Sequence, residues 1–172
     1  NDQQVALPNS IADKPFATGW GGRLADLTNA FNSNNRISMS LSLNGQNSFQ
    51  VGKNVAQYSV GTTGAVALTG SGTGTSVNGI RTTAMNDILA AQNANLFETA
   101  FGGLTSGAVS NSALLSSVVT GTSPFASFFT GLTSSLSQQL HRVARLVNAQ
   151  STLGLKRQVF FVRTGGFDLH DN

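Results

Sequence analysis

The chain has no cysteine among its 172 residues. That excludes disulfide scaffolds, thiolate metal sites and cysteine nucleophiles, and it leaves the compartment open. Charge is scarce too, with 10 Lys and Arg against 7 Asp and Glu. This is too little for a disordered polyelectrolyte, and the composition lacks the Ala, Glu, Lys, Leu and Arg excess of a coiled coil. No apolar run approaches the roughly 18 residues that span a bilayer. The opening Asn1-Asp2-Gln3-Gln4 has neither the basic start nor the apolar centre of a signal peptide. What is present is a 40% apolar fraction, enough for the core of one ordinary domain. Gly, Ser, Thr and Asn together supply 72 residues, a mixture suited to long surface loops.

The net charge of +3 is unevenly placed. Residues 1 to 98 carry five basic and five acidic side chains, whereas 99 to 167 carry Arg142, Arg145, Lys156, Arg157 and Arg163 and no acid. Nucleic-acid binders show denser Lys/Arg clusters with interleaved aromatics, so no nucleic-acid partner is expected.

Along the chain, Leu24, Leu27 and Phe31 give an apolar face to a helix predicted from about Gly22 to Asn32, with Trp20 as a core anchor beside it. Ile37, Met39, Leu41 and Leu43 alternate with Ser38, Ser40 and Ser42, which predicts a strand with one apolar face and one solvated hydroxyl face. Short strands and loops follow to Leu68. The Gly/Ser/Thr stretch over 69–81 reads as a flexible linker. Its glycines fit neither a Walker loop nor a dinucleotide loop, so no nucleotide or flavin is expected, and a G-x-S-x-G elbow is missed by one residue at Gly74–Gly79.

Residues 82–154 read as helical. Met85, Ile88, Leu89, Leu96, Phe97 and Phe101 form a stripe stopped at Gly102-Gly103, and a further helix is predicted from Ser110 to Val119. The patch Phe125, Phe128, Phe129 follows Pro124. The clearest helix lies between Thr133 and Ala149, with Leu136, Leu140, Val143 and Val147 as its apolar face, Ser135 and Gln138 as a capping pair, His141 at the surface and Gly154 as the stop. Val159-Phe160-Phe161-Val162 then predicts a strand buried on both faces.

Directly after that strand come Gly165, Gly166, Asp168, His170 and Asp171. In open α/β sheets ligands gather beyond the carboxyl ends of the strands, and carboxylate and imidazole groups ligate zinc or similar divalent ions. By residue type alone, this Asp-x-His is either a site or a turn-capping pair.

The run Arg157-Gln158-Val159-Phe160-Phe161-Val162-Arg163-Thr164-Gly165-Gly166-Phe167-Asp168-Leu169-His170 resembles the exported bacterial family known as domain of unknown function 1501, whose members carry a strand ending in Gly-Gly-Phe-Asp-Thr-His. Leu136-Ser137-Gln138-Gln139-Leu140, Gly19-Trp20-Gly21-Gly22-Arg23 and Tyr58-Ser59-Val60-Gly61 are similar to it as well. The resemblance covers residues 16–68 and 132–172. Leu169 departs from the usual Thr and Arg163 from a small residue, and the family's Gly-Gly-Asn-Asp, Ser-Asp-Phe-Gly-Arg and Asp-His-Gly-Trp-Gly motifs have no counterpart.

That family is similar to the alkaline phosphatase and sulfatase superfamily. The resemblance therefore implies an α/β chain forming part of a three-layer α/β/α sandwich with loop-rich and helical insertions. It implies a single incomplete domain over 1–172, inactive alone and completed by the rest of a longer exported protein, periplasmic or extracellular and bearing a twin-arginine signal. It further implies a hydrolase acting on phosphate or sulfate esters, with a divalent metal such as zinc or calcium held by Asp168 and His170, and more weakly by Asp171. Arg163 would favour an anionic small-molecule or polymeric substrate. The competing expectations are a member of the family that keeps the fold without catalysis and a non-catalytic secreted or surface protein, structural or carbohydrate-interacting, supported by the Ser/Thr/Asn-rich composition and the hydroxyl face of Ser38, Ser40 and Ser42.

Overall fold

The computed structural model describes residues 18–33, 37–61, 64–65, 69–91 and 95–166. Helix α1 (Trp20–Thr28) runs into a 3-10 turn at Asn29–Phe31 and precedes strands β1 (Ser40–Ser42), β2 (Tyr58–Gly61) and β3 (Gly64–Ala65). Helices α2 (Val77–Ala90) and α3 (Leu96–Thr120) form a hairpin. A 3-10 turn at Ala126–Phe129, helices α4 (Ser135–Asn148) and α5 (Gln150–Leu153), and strand β4 (Val159–Phe161) complete the described chain. The sheet order is β3-β2-β1-β4, with β1 parallel to both β2 and β4 and β3 antiparallel to β2. The chain is thus mixed α/β around a small, mainly parallel sheet.

The alternating pattern around β1 has the predicted apolar side. Ile37, Met39, Leu41 and Leu43 are buried in one cluster with Leu115 and Val119 of α3, Leu146 of α4, and Leu153 and Leu155. Full burial of such side chains stabilises by about 1.5–3 kcal/mol each.

The hydroxyl side is not solvated, which corrects the sequence-based expectation. Ser40 and Ser42 are fully buried because segment 45–57 folds back over them. Ser38 Oγ donates to the Ala56 carbonyl and Ser42 Oγ to the Gly45 carbonyl. Buried Gln50 donates to the carbonyls of Leu41 and Val159, each at 3.2 Å. Ser40 Oγ has no hydrogen-bond partner among the described residues, a penalty of about 1–3 kcal/mol for a buried hydroxyl.

Helix α1 packs on that roof by its glycines rather than by the predicted apolar face. Leu24, Leu27 and Phe31 are exposed, while Gly21, Gly22 and Ala25 are buried. A Cβ on Gly22 would lie 2.2 Å from the Val51 carbonyl group, and one on Gly21 2.4 Å from the Phe49 ring. Only glycine permits this approach. It lets the N–H groups of Gly19 and Gly22 donate to the carbonyls of Val51 and Phe49 at 2.8 and 3.1 Å, satisfying donors a helix start leaves open. Asp26 then accepts from the N–H groups of Lys53, Asn54 and Val55 at 2.7, 2.9 and 2.8 Å. Burial alone would raise its carboxyl pKa, but these donors and the Lys53 charge prevail and hold it below the ordinary 3.8.

Three side-chain amides act as surrogate strands, each engaging the N–H and C=O of one residue. Asn32 clasps Arg157 at 2.8 and 3.2 Å, Gln57 clasps Asn47 at 2.9 and 2.9 Å, and Gln139 clasps Arg163 at 2.9 and 2.9 Å. These bonds meet the backbone's need for partners where the ladder stops.

The helical region departs from its predicted boundaries. Ser76 caps α2, accepting from the Gly79 N–H at 3.1 Å, so the last five residues of the expected linker are helical. Asn95 caps α3 through the Phe97 N–H at 2.9 Å, and α3 passes through Gly102 and Gly103 to Thr120. Gly102 serves helix contact instead of termination, since a Cβ there would sit 3.3 Å from the Leu89 carbonyl oxygen of α2. Helix α4 is capped by Ser134 through the Ser137 N–H at 3.2 Å, not by Ser135, and Gln138 donates to the Leu132 carbonyl. Its buried residues are Gln139 and Leu146, while Leu140 and Val147 are exposed. The core-facing side is therefore turned roughly 80° from the predicted stripe, at 100° per residue.

Candidate functional site

The carboxyl edge of the parallel strands is the place where this architecture can present chemistry. Pairing extends past β1 and β4, with the Leu43 N–H donating to the Phe161 carbonyl at 2.9 Å. The chain leaving β1 turns at Gly45, which has φ +67°. It is held by Asn47, whose side-chain amide donates to Ser42 Oγ and Gln50 Oε1 at 3.3 and 3.0 Å while its carbonyl accepts from the Gln50 N–H at 2.9 Å. Beside it, Phe49 lies 6.0 Å from the Phe161 ring and 4.9 Å, edge-on, from Trp20. Trp20 is half exposed, at 50%. It forms the outer end of an aromatic row instead of the expected core anchor.

The strand exit itself is fixed by Gln139, which is only 2% exposed. Its amide nitrogen donates to the Arg163 carbonyl and to Ser135 Oγ, and its amide oxygen accepts from the Arg163 N–H. The backbone direction at Arg163 is thereby set from a helix, five residues before Asp168. Gln139 has no part in the sequence-based site. The available signal was its spacing from Val143 and Leu146, which puts a neutral amide on an apolar helix side where only a satisfied one is affordable.

Arg163 stands exposed at this exit, followed by Thr164, Gly165 and Gly166, the last at φ +88°. Asp168, His170 and Asp171 lie outside the described residues. Among the described residues no group of three or more His, Asp or Glu side chains is placed to hold a metal ion.

Two of the other basic residues, Arg157 and Arg145, are held elsewhere. The Arg157 backbone is clasped by Asn32 at the amino end of β4, and its guanidinium lies 5.8 Å from the centre of the Phe31 ring. Arg145 donates through Nε to the Val118 carbonyl at 3.0 Å and through Nη2 to the Gly121 carbonyl, placing a cation at the carboxyl end of α3 where the helix dipole favours it.

His141 is half-buried, not a free surface residue. Nε2 lies 2.7 Å from Ser123 Oγ, and the ring stacks on Phe129 with centroids 4.5 Å apart. Burial, then the charges of Arg145 and Arg142, hold its pKa below the ordinary 6.5. It is two residues from Gln139, about 200° around the helix, so it does not join the strand exit. The Ser123–His141 pair has no carboxylate partner among its described contacts and ties the 121–130 segment to α4. Comparison of the chain with protein-family profiles, with curated proteins and with solved structures finds no match.

Proposed function

We propose that the carboxyl edge around Arg163 belongs to a metal-dependent hydrolase of phosphate or sulfate esters, with a sheet of the alkaline phosphatase-like kind and Asp168 and His170 as the metal ligands. Asp171 is a weaker third candidate. The observation that carries this reading is the Gln139 clasp on Arg163: a buried amide on a rigid helix fixes the strand exit, as a ligand-bearing loop requires. The described residues provide that positioning and one exposed guanidinium, and the ligands themselves would come from 168–171. A divalent ion held there would polarise the ester oxygen and activate water. Arg163 would pair with the anionic group, for which its forked donors are suited. The setting proposed is an exported protein, consistent with the family resemblance.

The carbohydrate-binding alternative loses one of its two supports, the hydroxyl face, because Ser40 and Ser42 are buried and Ser38 is bonded to the Ala56 carbonyl. Zinc titration of the chain by calorimetry tests the proposal. The expected result is a single site whose affinity falls at least tenfold in both Asp168→Ala and His170→Ala, a magnitude of about that order being usual for lost metal partners. Equal affinity in all three proteins would reject it.

A further inference from the structure

Helix α3 presents an apolar side that stands largely exposed. Leu96, Phe97, Phe101 and Leu104 are 84%, 86%, 70% and 75% exposed, leaving roughly 600 Å² of large apolar side chain in water, the upper limit for a typical monomer. At 100° per residue these four lie within one arc of about 140°. Gly102 is on the other side, against α2, whereas Gly103 and Gly107 fall in or beside the exposed arc with nothing within 4 Å of an added Cβ. The surface therefore has a ridge of Phe97, Phe101 and Leu104 alongside a shallow row of Ala100, Gly103 and Gly107.

We infer that this side of α3 is the contact through which two copies of the chain associate, related by a two-fold axis, with the ridge of each copy over the small-residue row of the other. Three observations choose this occupant. A two-fold contact must be self-complementary, and an adjacent ridge and row on one helix meet that condition. The one charged residue of α3, Glu98, lies about 60° outside the arc at 100° per residue, and no Asp, Glu, Lys or Arg occurs between it and Arg142, so the arc itself carries no charge and identical arcs meet without like charges in the contact. A helix resting on a lipid surface carries Lys or Arg on its polar side, and α3 has none. Burying the patch on both copies removes about 1,200 Å², the lower end of specific interfaces, which corresponds to a dimer that dissociates on dilution.

Sedimentation equilibrium of the 172-residue chain, from micromolar to sub-millimolar concentration, tests this. The wild type should pass from monomer to dimer, and Phe101→Glu should raise the dissociation constant by at least about a hundredfold, the scale of a lost aromatic anchor. Phe101 is exposed, so the far-ultraviolet circular dichroism should not change. Because the chain lacks cysteine, Ala100→Cys should form a disulfide-linked dimer on mild oxidation and Ser106→Cys, off the arc, should not. A wild type that is monomeric throughout, or a dimer indifferent to Phe101→Glu, overturns the inference. So does a monomer that instead binds neutral or anionic vesicles, or one in which the thiol introduced by Ala100→Cys is shielded by the chain's own residues.

Discussion

The sheet region and the α2/α3 hairpin solve the same problem, a chain poor in charge and rich in small polar residues, in opposite ways. Around the sheet, polar side chains are turned inward and satisfied against backbone: the three amide clasps, the Asp26 carboxylate with its three N–H donors, and Gln50 beneath its roof. Along α2 and the first half of α3, large apolar side chains such as Ile88, Phe97 and Phe101 are exposed, Ser76 and Asn95 serve as caps, and only the far end of α3, through Leu115 and Val119, reaches the sheet core. The difference teaches that Asn, Gln and Ser here do not mark flexible loops by default. Where a parallel strand ends they complete its hydrogen bonding, and on the first half of α3, away from the sheet core, apolar residues are left exposed for another surface to cover.

Gln139→Leu should break this contrast most severely. It keeps approximate volume and removes all three bonds of a buried amide, so unfolding free energy should fall by about 2–4 kcal/mol in urea titration. If the strand exit is the metal site, zinc affinity should fall by about tenfold or more in the folded protein. Asp26→Ala comes next, at about 1.5–3 kcal/mol, since the carboxylate bonds are charge-assisted. It carries a pH signature. A carboxyl whose folded pKa is lowered contributes stability that is present above about pH 3.8 and lost as pH falls through its lower folded value. Acid titration followed by circular dichroism should accordingly show a shallower acid loss in Asp26→Asn than in wild type.

Within the buried hydroxyl side the comparison sharpens. Ser42→Ala should cost about 1 kcal/mol, because Ser42 Oγ bonds the Gly45 carbonyl and accepts from Asn47. Ser40→Ala should be neutral or slightly stabilising, because no bond is lost. At the hairpin, Phe97→Ser should leave the unfolding free energy of the dilute monomer within about 0.5 kcal/mol of wild type, as for an exposed position.

How much of this was legible in the sequence follows from which interactions have a period. The Ile37–Leu43 alternation gave the central strand, and the Gly154 stop stands in the structure at φ +68°. The hydroxyl side was misread because its cover comes from segment 45–57, whose Ser, Asn and Gln bonds follow no repeat. The α4 register was misread because Leu140 and Val147 look like core by spacing, while Gln139 is drawn inward by a backbone partner 24 residues later. The glycines of α1 read as a helix entry, and their role as the packing surface depends on a close approach that only the folded chain reveals. Strand β4, expected to be buried on both faces, is half-buried because among the described residues it pairs on one side only. Of the candidate site, Arg163 lies exposed just past β4, and Asp168, His170 and Asp171 fall outside the described residues.

The most direct test of the central claim, that the Gln139-clasped exit of β4 leads into a metal site, is a zinc titration followed by backbone amide resonances across the whole chain. The account predicts shifts concentrated from Arg163 to Asp171, with Gln139 side-chain signals moving in concert. Shifts centred on His141 or the amino-terminal residues, or no saturable shift at all, would contradict it.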